Sequence, residues 1–142
     1  MIFGKKEHGY NYAARPCAYA VILDEKREKV AVVQNGSGRY FLPGGGIERQ
    51  ETPEQCLIRE LLEETGYEIR IDSCIGKAQN YFVNSKGEAI LNDALFYLAG
   101  LTHKVQEPVE MDHILSWISV EEAHKLFHRH QQWAVKTAIG QE

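Results

Sequence analysis

The 142-residue chain has few cysteines, no long hydrophobic run and no excess of positive charge. Its three cysteines, Cys17, Cys56 and Cys74, are odd in number and widely spaced, so we expect free thiols in a reducing cytoplasm. No apolar stretch approaches the roughly 20 residues of a membrane span, and the N-terminus lacks a signal-peptide core. A net charge of −4 and a pI near 5.9 argue against a nonspecific nucleic-acid surface. Neither a membrane nor a nucleic-acid polymer is expected as a partner.

The negative charge is concentrated in one segment. From Gly44 to Tyr67 there are six acids and two bases, a net of −4, whereas the whole chain has 20 acids and 16 bases. The remaining residues therefore hold 14 of each sign, and the whole formal imbalance lies in this segment. Carboxylates at this density repel one another unless a cation joins them. The segment therefore predicts a divalent metal site.

The same segment carries the signals of a helix from about residue 53 to residue 65. Thr52 and Gln55 can form a capping box around a proline at the first helical position. Gly66 is typical of the residue with left-handed backbone that ends a helix. We therefore predict a helix of about three and a half turns, by the usual 3.6 residues per turn.

The helical period divides this helix into an apolar side and an acidic side. We predict that the apolar side carries Leu57, Ile58, Leu61 and Leu62, and that Glu60, Glu63 and Glu64 converge on one exposed patch. A solvated acidic surface is the alternative, but Glu60 is followed four residues later by another acid, not by a base. Hard oxygen ligands favour Mg²⁺, with Mn²⁺ as the other candidate, over zinc.

Three glycines, Gly44 to Gly46, follow an apolar strand at 40–42 and precede the helix. Backbone without side chains can turn sharply and approach a ligand closely, so a carbonyl here could complete a metal shell. A flexible connecting loop is the alternative. Glu51 and Arg59 are expected to orient the loop and the glutamates through charge-assisted hydrogen bonds.

The spacing of these residues resembles the Nudix box, the signature of hydrolases acting on a nucleoside diphosphate linked to another group. Its fixed positions are filled by Gly45, Glu51, Arg59, Glu60, Leu61, Glu63, Glu64 and Gly66, and Tyr67 takes the closing aliphatic position. The box covers residues 45–67, and the length and strand pattern resemble a single Nudix domain over residues 1–142. The resemblance implies an α/β (α+β) fold, an α/β/α sandwich with a mixed β-sheet between helices.

The resemblance also implies roles for the box residues. Glu60, Glu63 and Glu64 would hold Mg²⁺, with Glu60 also a candidate to bind or deprotonate the attacking water, and Arg59 would belong to the catalytic set. The carbonyl of Gly44 would be a further ligand. The implied activity is a Mg²⁺-dependent pyrophosphohydrolase that releases a nucleoside monophosphate. The alternative is a Nudix-fold module that senses a nucleotide without cleaving it.

Members of this family often recruit one more carboxylate from outside the box. The second acidic cluster of the chain offers Glu107, Glu110 and Asp112, and we rank Glu110 first, with a charged surface loop as the alternative. Candidate residues for contacting the substrate are aromatic: Tyr19, Tyr40, Phe41, Tyr81, Phe82 and Trp117. Core packing is the more common role of aromatic residues on strands.

The expected partner is a small-molecule nucleotide, and a homodimer is left open. An oxidised purine nucleoside triphosphate is the first substrate candidate, by family analogy alone. ADP-ribose, dinucleoside polyphosphates and nucleotide sugars are the others.

Alternating apolar residues and turn residues predict the secondary structure of the rest of the chain. Strands at 18–23 and 29–34 are expected to form a hairpin, strands near 68–83 and 89–99 a second pair, and residues 114–118 a short strand. Ser119 is expected to cap a helix running toward Phe127, with another helix over about 131–139. His124 and His128 lie one helical turn apart, and we interpret them as a solvated helix face, not a zinc site.

Overall fold

The computed structural model describes residues 1–110 and 112–140. The strands are β1 (Ile2–Phe3), β2 (Ala13–Ile22), β3 (Lys29–Gln34), β4 (Tyr40–Phe41), β5 (Gly44–Gly46), β6 (Tyr67–Val83), β7 (Ala89–Lys104) and β8 (Ile114–Ser119). The helices are α1 (Pro53–Thr65), a 3₁₀ helix (Val120–Lys125) and α2 (Arg129–Gly140). Within the two described ranges, no helix is long and apolar enough to cross a membrane.

The strands form two sheets. The larger sheet has the order β1-β6-β7-β2-β5 and is mixed, because β2 runs parallel to β7 while β6 and β7 are antiparallel. The smaller sheet, β4-β3-β8, is antiparallel. The predicted α+β class with a mixed sheet is confirmed, and the second sheet is an addition to it.

Strand β2 separates the two helical layers. Side chains alternate across a strand, so its successive residues face opposite layers. Ala18, Ala20 and Ile22 pack in one buried cluster with Leu57 and Leu61 of α1. The other face of β2 packs in a second cluster with α2, through Cys17, Tyr19, Val21, Ala134, Val135 and Ala138. The sheet therefore lies between α1 and α2 as predicted.

The predicted hairpin between residues 18–23 and 29–34 is wrong. Among the described residues, the only ladder pairing across that turn is the bridge between Leu23 and Val30. Beyond this bridge β2 joins the larger sheet and β3 joins the smaller one. The second half of β2, from Cys17 onward, and the middle of β3 are buried on both faces. Such continuous apolar runs reveal burial but not which strand is the neighbour.

The predicted pair near 68–83 and 89–99 is confirmed as β6 and β7, although β7 continues to Lys104. The helix expected after Ser119 is a 3₁₀ helix over Val120–Lys125, which ends two residues short of Phe127. Ser119 does cap it, through its hydroxyl oxygen, which accepts from the Glu121 amide at 3.3 Å. The C-terminal helix is confirmed and begins two residues earlier, at Arg129.

Helix α1 has the predicted bounds and caps. The Thr52 hydroxyl accepts from the Gln55 amide at 3.1 Å, and the Gln55 carboxamide oxygen accepts from the Thr52 amide at 2.9 Å. Gly66 ends the helix with φ of 78°. The predicted faces are wrong at two positions: Ile58 is 48% exposed and Glu64 is buried. The helical period fixes the angle between successive side chains about the helix axis. It does not determine which side of the helix packs against β5.

Candidate active site

The Glu64 carboxylate is buried where α1 packs against β5, with 6% of the residue exposed. Its Oε1 accepts a hydrogen bond from the Gly44 amide at 2.8 Å. Burial raises the pKa of Glu64 well above its usual value; the Gly44 amide opposes the shift, and the nearby acids Glu60 and Glu110 add to it. A buried carboxylate among other acids is unfavourable unless a proton or a cation joins it.

The glycine triplet is a strand, not a flexible loop. Gly44 pairs with Tyr19 of β2, at a φ of 141° that side-chain-bearing residues rarely adopt. A Cβ at Gly44 would overlap the Ala18 carbonyl oxygen and lie 2.7 Å from the Tyr19 Cα. Because Gly44 has no side chain, β5 can pair closely with β2 while the Gly44 amide donates to Glu64.

Arg59 joins the helix to the segment before it. Its Nε and Nη2 donate to the two oxygens of Glu51 at 2.7 and 3.0 Å, and Nη2 also donates to the Gly46 carbonyl at 3.1 Å. Its Nη1 donates to Glu60 Oε1 at 2.8 Å. The hydrogen bond from Arg59 lowers the pKa of Glu51 to about 2. These are the contacts expected of a group that orients β5 and the acidic face of α1.

Arg59→Gln is expected to destabilise the fold in a pH-dependent way. The Glu51 pKa is depressed in the folded state, so its contribution is complete above the ordinary glutamate pKa and is lost as the pH falls toward 2. The difference in unfolding free energy between wild type and variant should therefore be largest near pH 7 and shrink toward pH 3. Urea denaturation across this range measures it.

The matched control is Arg70→Gln. Arg70 forms a surface pair with Asp72 in which its side chain is 63% exposed, and such pairs contribute roughly 0–1 kcal/mol. An equal, pH-independent effect of both substitutions would argue against the Glu51 pairing as the source of stability.

The loop after β7 is held by the C-terminal end of α1. The Val109 and Glu110 amides donate to the Glu63 carbonyl at 2.8 and 3.2 Å, which satisfies a carbonyl that lacks a partner within the helix. This contact brings Glu110 to the box: carboxylate oxygens of Glu60, Glu63 and Glu110 all lie within 4.8 Å of one another. Glu107 instead points to Lys104, at 3.3 Å.

His113 is a site residue that the sequence analysis missed. Its Nδ1 lies 2.9 Å from Glu110 Oε2 and 3.2 Å from Asp112 Oδ1, and its Nε2 lies 4.0 Å from Glu64 Oε2. Potential ligand atoms of Glu64, Glu110 and His113 also lie within 4.8 Å of one another. No local pattern links this histidine to the box; its one signal is its position just after the second acidic cluster.

A cavity of about 280 Å³ opens beside Glu64 and β5. Three of the aromatic candidates, Tyr19, Phe41 and Phe82, are among its lining residues. Arg15, Asn35, Asn92, His113 and His128 supply polar groups to its wall. The cavity thus combines flat apolar surfaces with the positively charged side chain of Arg15 and several hydrogen-bonding groups.

His128 is buried, so the interpretation as a solvated face was wrong for this residue, whereas His124 is exposed as expected. The His128 ring packs 4.6 Å from the Phe82 ring and 5.6 Å from the Phe41 ring, measured between centroids. Burial lowers the pKa of His128 to about 4. The imidazole is therefore neutral at pH 7, and it contributes shape and hydrogen bonding to the cavity without charge.

The other three aromatic candidates do not line this cavity. Tyr40 packs against the core, and the Tyr81 ring lies 4.9 Å from the Tyr12 ring. Trp117 lines a separate groove that includes Leu98 and Arg70. The structure therefore places Tyr40, Tyr81 and Trp117 outside the cavity that Phe41 lines, and their contact with a substrate stays a prediction. Alternation along a strand turns neighbours such as Tyr81 and Phe82 to opposite faces.

The three cysteines are free thiols, as predicted. Cys56 is fully buried against β5, and its Sγ lies 3.4 Å from the Gly46 carbonyl oxygen. Burial raises the pKa of Cys56 to about 12, so it is a thiol at neutral pH. It fills space between helix and strand and is not an activated nucleophile.

A profile of the NUDIX domain matches residues 13–138, and the chain belongs to this family. Among curated proteins, it is 34% identical over 62 residues to a Bacillus subtilis protein described as a candidate 8-oxo-dGTP diphosphatase, covering 44% of this chain and 42% of that protein. It is 33% identical over 67 residues to an RNA pyrophosphohydrolase of Marinomonas sp., covering 47% and 42% of the two chains. The matched region thus spans less than half the length of these relatives.

Solved structures show the same fold. A NUDIX hydrolase from Nitrosomonas europaea aligns with a TM-score of 0.73 and 17% identity, over 90% of each chain. The E. coli dihydroneopterin triphosphate pyrophosphohydrolase aligns with a TM-score of 0.73 and 17% identity, over 92% of this chain and 99% of that one. At these identities the likeness establishes the architecture alone.

Proposed function

We propose that this chain is a Mg²⁺-dependent pyrophosphohydrolase that cleaves the diphosphate of a nucleoside diphosphate derivative. One observation carries the proposal: the buried carboxylate of Glu64 stands beside a cavity, and Glu110 joins it to the half-buried acids Glu60 and Glu63 in two groups of potential ligands. An acidic surface without a ligand would have no reason to bury one of its carboxylates.

The residues present fit a hard divalent cation. The group of Glu60, Glu63 and Glu110 offers carboxylate oxygens only, which is the donor type that Mg²⁺ and Mn²⁺ prefer. Glu64 and the carbonyl of Gly44 are the further proposed ligands. Burial raises the pKa of Glu60, where Arg59 opposes the shift, and the pKa of Glu64, where the Gly44 amide opposes it; a bound cation would offset the cost of burying these charges.

When bound, divalent metal ions neutralise charge on the diphosphate and lower the pKa of the attacking water. The protein then has to fix the reacting groups and take up a proton. Arg59 holds Glu60 by Oε1, which leaves Oε2 to accept a proton from water. The Gly44 amide holds Glu64 in place in the same way, through one oxygen.

The cavity is proposed to hold the nucleoside. Phe41 and Phe82 offer apolar surfaces for a planar ring, and Arg15 offers donors to a phosphate. A small cavity in an acidic protein favours a nucleotide over a nucleic-acid polymer, and the free cysteines favour the reducing cytoplasm.

An oxidised purine nucleoside triphosphate is the first substrate candidate, supported by the description of the similar Bacillus subtilis protein. ADP-ribose, dinucleoside polyphosphates and nucleotide sugars are the other members of a test panel. The protein is incubated with Mg²⁺ and each compound, and products are separated by chromatography. We expect one class to yield a nucleoside monophosphate, and Glu63→Gln to yield little or none.

Two outcomes would redirect the proposal. Saturable binding of a nucleotide without any product would favour a sensing module. Full activity of Glu63→Gln would remove that residue from the proposed metal site.

A further inference from the structure

The two groups of potential ligands beside α1 differ in their donor atoms. Glu60, Glu63 and Glu110 offer oxygens only, whereas Glu64, Glu110 and His113 include an imidazole. Glu110 belongs to both groups, so the two positions are adjacent. Oxygen-only sites suit Mg²⁺, whereas an imidazole ligand shifts preference toward transition metals.

The two ring nitrogens of His113 face different surroundings. Nδ1 lies 2.9 Å from Glu110 Oε2 and 3.2 Å from Asp112 Oδ1, and it is a buried atom without hydrogen-bond geometry to either. Nε2 faces the Glu64 carboxylate. Histidines that bind metal usually direct their second nitrogen at a carboxylate, which fixes the ring and its tautomer.

The gap between His113 and Glu64 has the size that a shared cation would bridge. Nε2 and Glu64 Oε2 are 4.0 Å apart, which is too long for a hydrogen bond. It is close to twice the roughly 2.1 Å of a bond from a divalent metal to nitrogen or oxygen.

Glu64 supplies an independent observation. The residue is 6% exposed, and its Oε1 is taken by the Gly44 amide. Across residues 1–110 and 112–140, no hydrogen-bond donor reaches its Oε2, the oxygen that faces His113. Because the rest of this carboxylate is buried, an oxygen that has no donor among the described residues favours a cation at that point.

We propose that His113 Nε2, together with Glu64 and Glu110, forms a mixed nitrogen and oxygen position that binds a first-row transition metal such as Mn²⁺ in preference to Mg²⁺. The inference rests on the proposed function for metal binding at the acidic face of α1, and it adds a nitrogen ligand to it. The competing explanation is that His113 only balances the charge of Glu110 and Asp112.

Pulsed electron paramagnetic resonance on the Mn²⁺-loaded protein distinguishes these explanations, because it detects coupling between Mn²⁺ and a directly bound imidazole nitrogen. The wild type should show this coupling and His113→Gln should lose it. The matched control is His103→Gln, an equal substitution at a histidine that is 67% exposed and pairs with Glu68; it should keep the coupling.

Titration calorimetry gives a second readout that does not depend on turnover. Loss of the nitrogen should weaken Mn²⁺ binding by about 10-fold or more, within the range seen when groups around a metal are removed. Mg²⁺ binding at the oxygen-only group should change much less. Circular dichroism confirms that each variant is folded.

Mn²⁺ bound to the wild type without nitrogen coupling, or coupling that persists in His113→Gln, would overturn the inference and leave the hydrolase proposal intact. Failure of Mn²⁺ and Mg²⁺ to bind at all would overturn both. Because the first of these results needs only the wild type, misfolding of the variant cannot rescue the inference.

Discussion

Glu64→Gln is expected to remove nearly all turnover while raising the stability of the metal-free protein. Glutamine keeps an oxygen that can accept from the Gly44 amide, so local packing is preserved. It removes the negative charge that we propose as a metal ligand. Loss of charge stabilisation at the reacting phosphates should lower kcat by about 10³-fold or more, or roughly 4 kcal/mol.

The stability gain follows from the direction of the Glu64 pKa. Burial raises this pKa in the folded state, so metal-free wild type loses stability as the pH rises above the ordinary glutamate pKa and through the folded value. The glutamine variant lacks this loss, and its melting temperature at pH 7 to 8 should exceed that of the wild type. Added Mg²⁺ should raise the melting temperature of the wild type much more than that of the variant.

Glu107→Gln is the matched control, because that side chain is 85% exposed and pairs with Lys104 at the surface. It should leave turnover, metal response and melting temperature nearly unchanged. A Glu64→Gln protein that turns over normally, or one that is less stable than metal-free wild type, would contradict the account of this carboxylate as a buried ligand.

Gly66→Ala is expected to destabilise the protein and weaken metal binding together. Gly66 has φ of 78°, and a Cβ there would overlap the Gln106 carbonyl oxygen. The left-handed backbone and the displaced loop should together cost about 3 kcal/mol. The Gly66 carbonyl also accepts from the Val105 and Gln106 amides, so the shift is transmitted to the loop that carries Glu110.

Gly87→Ala is the matched control that separates backbone strain from displacement of the loop. Gly87 has a similar φ of 80°, but a Cβ there would meet no atom within 4 Å. It should cost only the backbone strain of about 1 kcal/mol, without any change in Mg²⁺ affinity. Urea denaturation and calorimetry measure both quantities. Equal effects of the two substitutions would mean that contact with the Glu110 loop is unimportant.

The helix of the box could be predicted in detail because its signals are local. Thr52, Gln55 and Gly66 act within a few residues of their own positions, and the structure has the caps and bounds that they predict. The β6 and β7 pair was predictable for the same reason, since Asn84 and Gly87 make a tight turn between two long alternating segments.

The rest depends on contacts between distant segments. The burial of Glu64 results from the packing of α1 on β5, and the sequence period cannot indicate that orientation. The position of His113 depends on a loop that binds the Glu63 carbonyl through Glu110. The expected hairpin failed because Leu23 and Val30 mark the point where the chain leaves one sheet for the other.

The most direct test of the central claim is turnover of the best panel compound by metal-stripped protein as Mg²⁺ is added. The account predicts no measurable hydrolysis without metal, and a saturable rise to full activity that is absent in Glu64→Gln. Hydrolysis that continues unchanged in the metal-stripped protein, or that the variant retains, would contradict the assignment of the acidic face of α1 as the catalytic metal site.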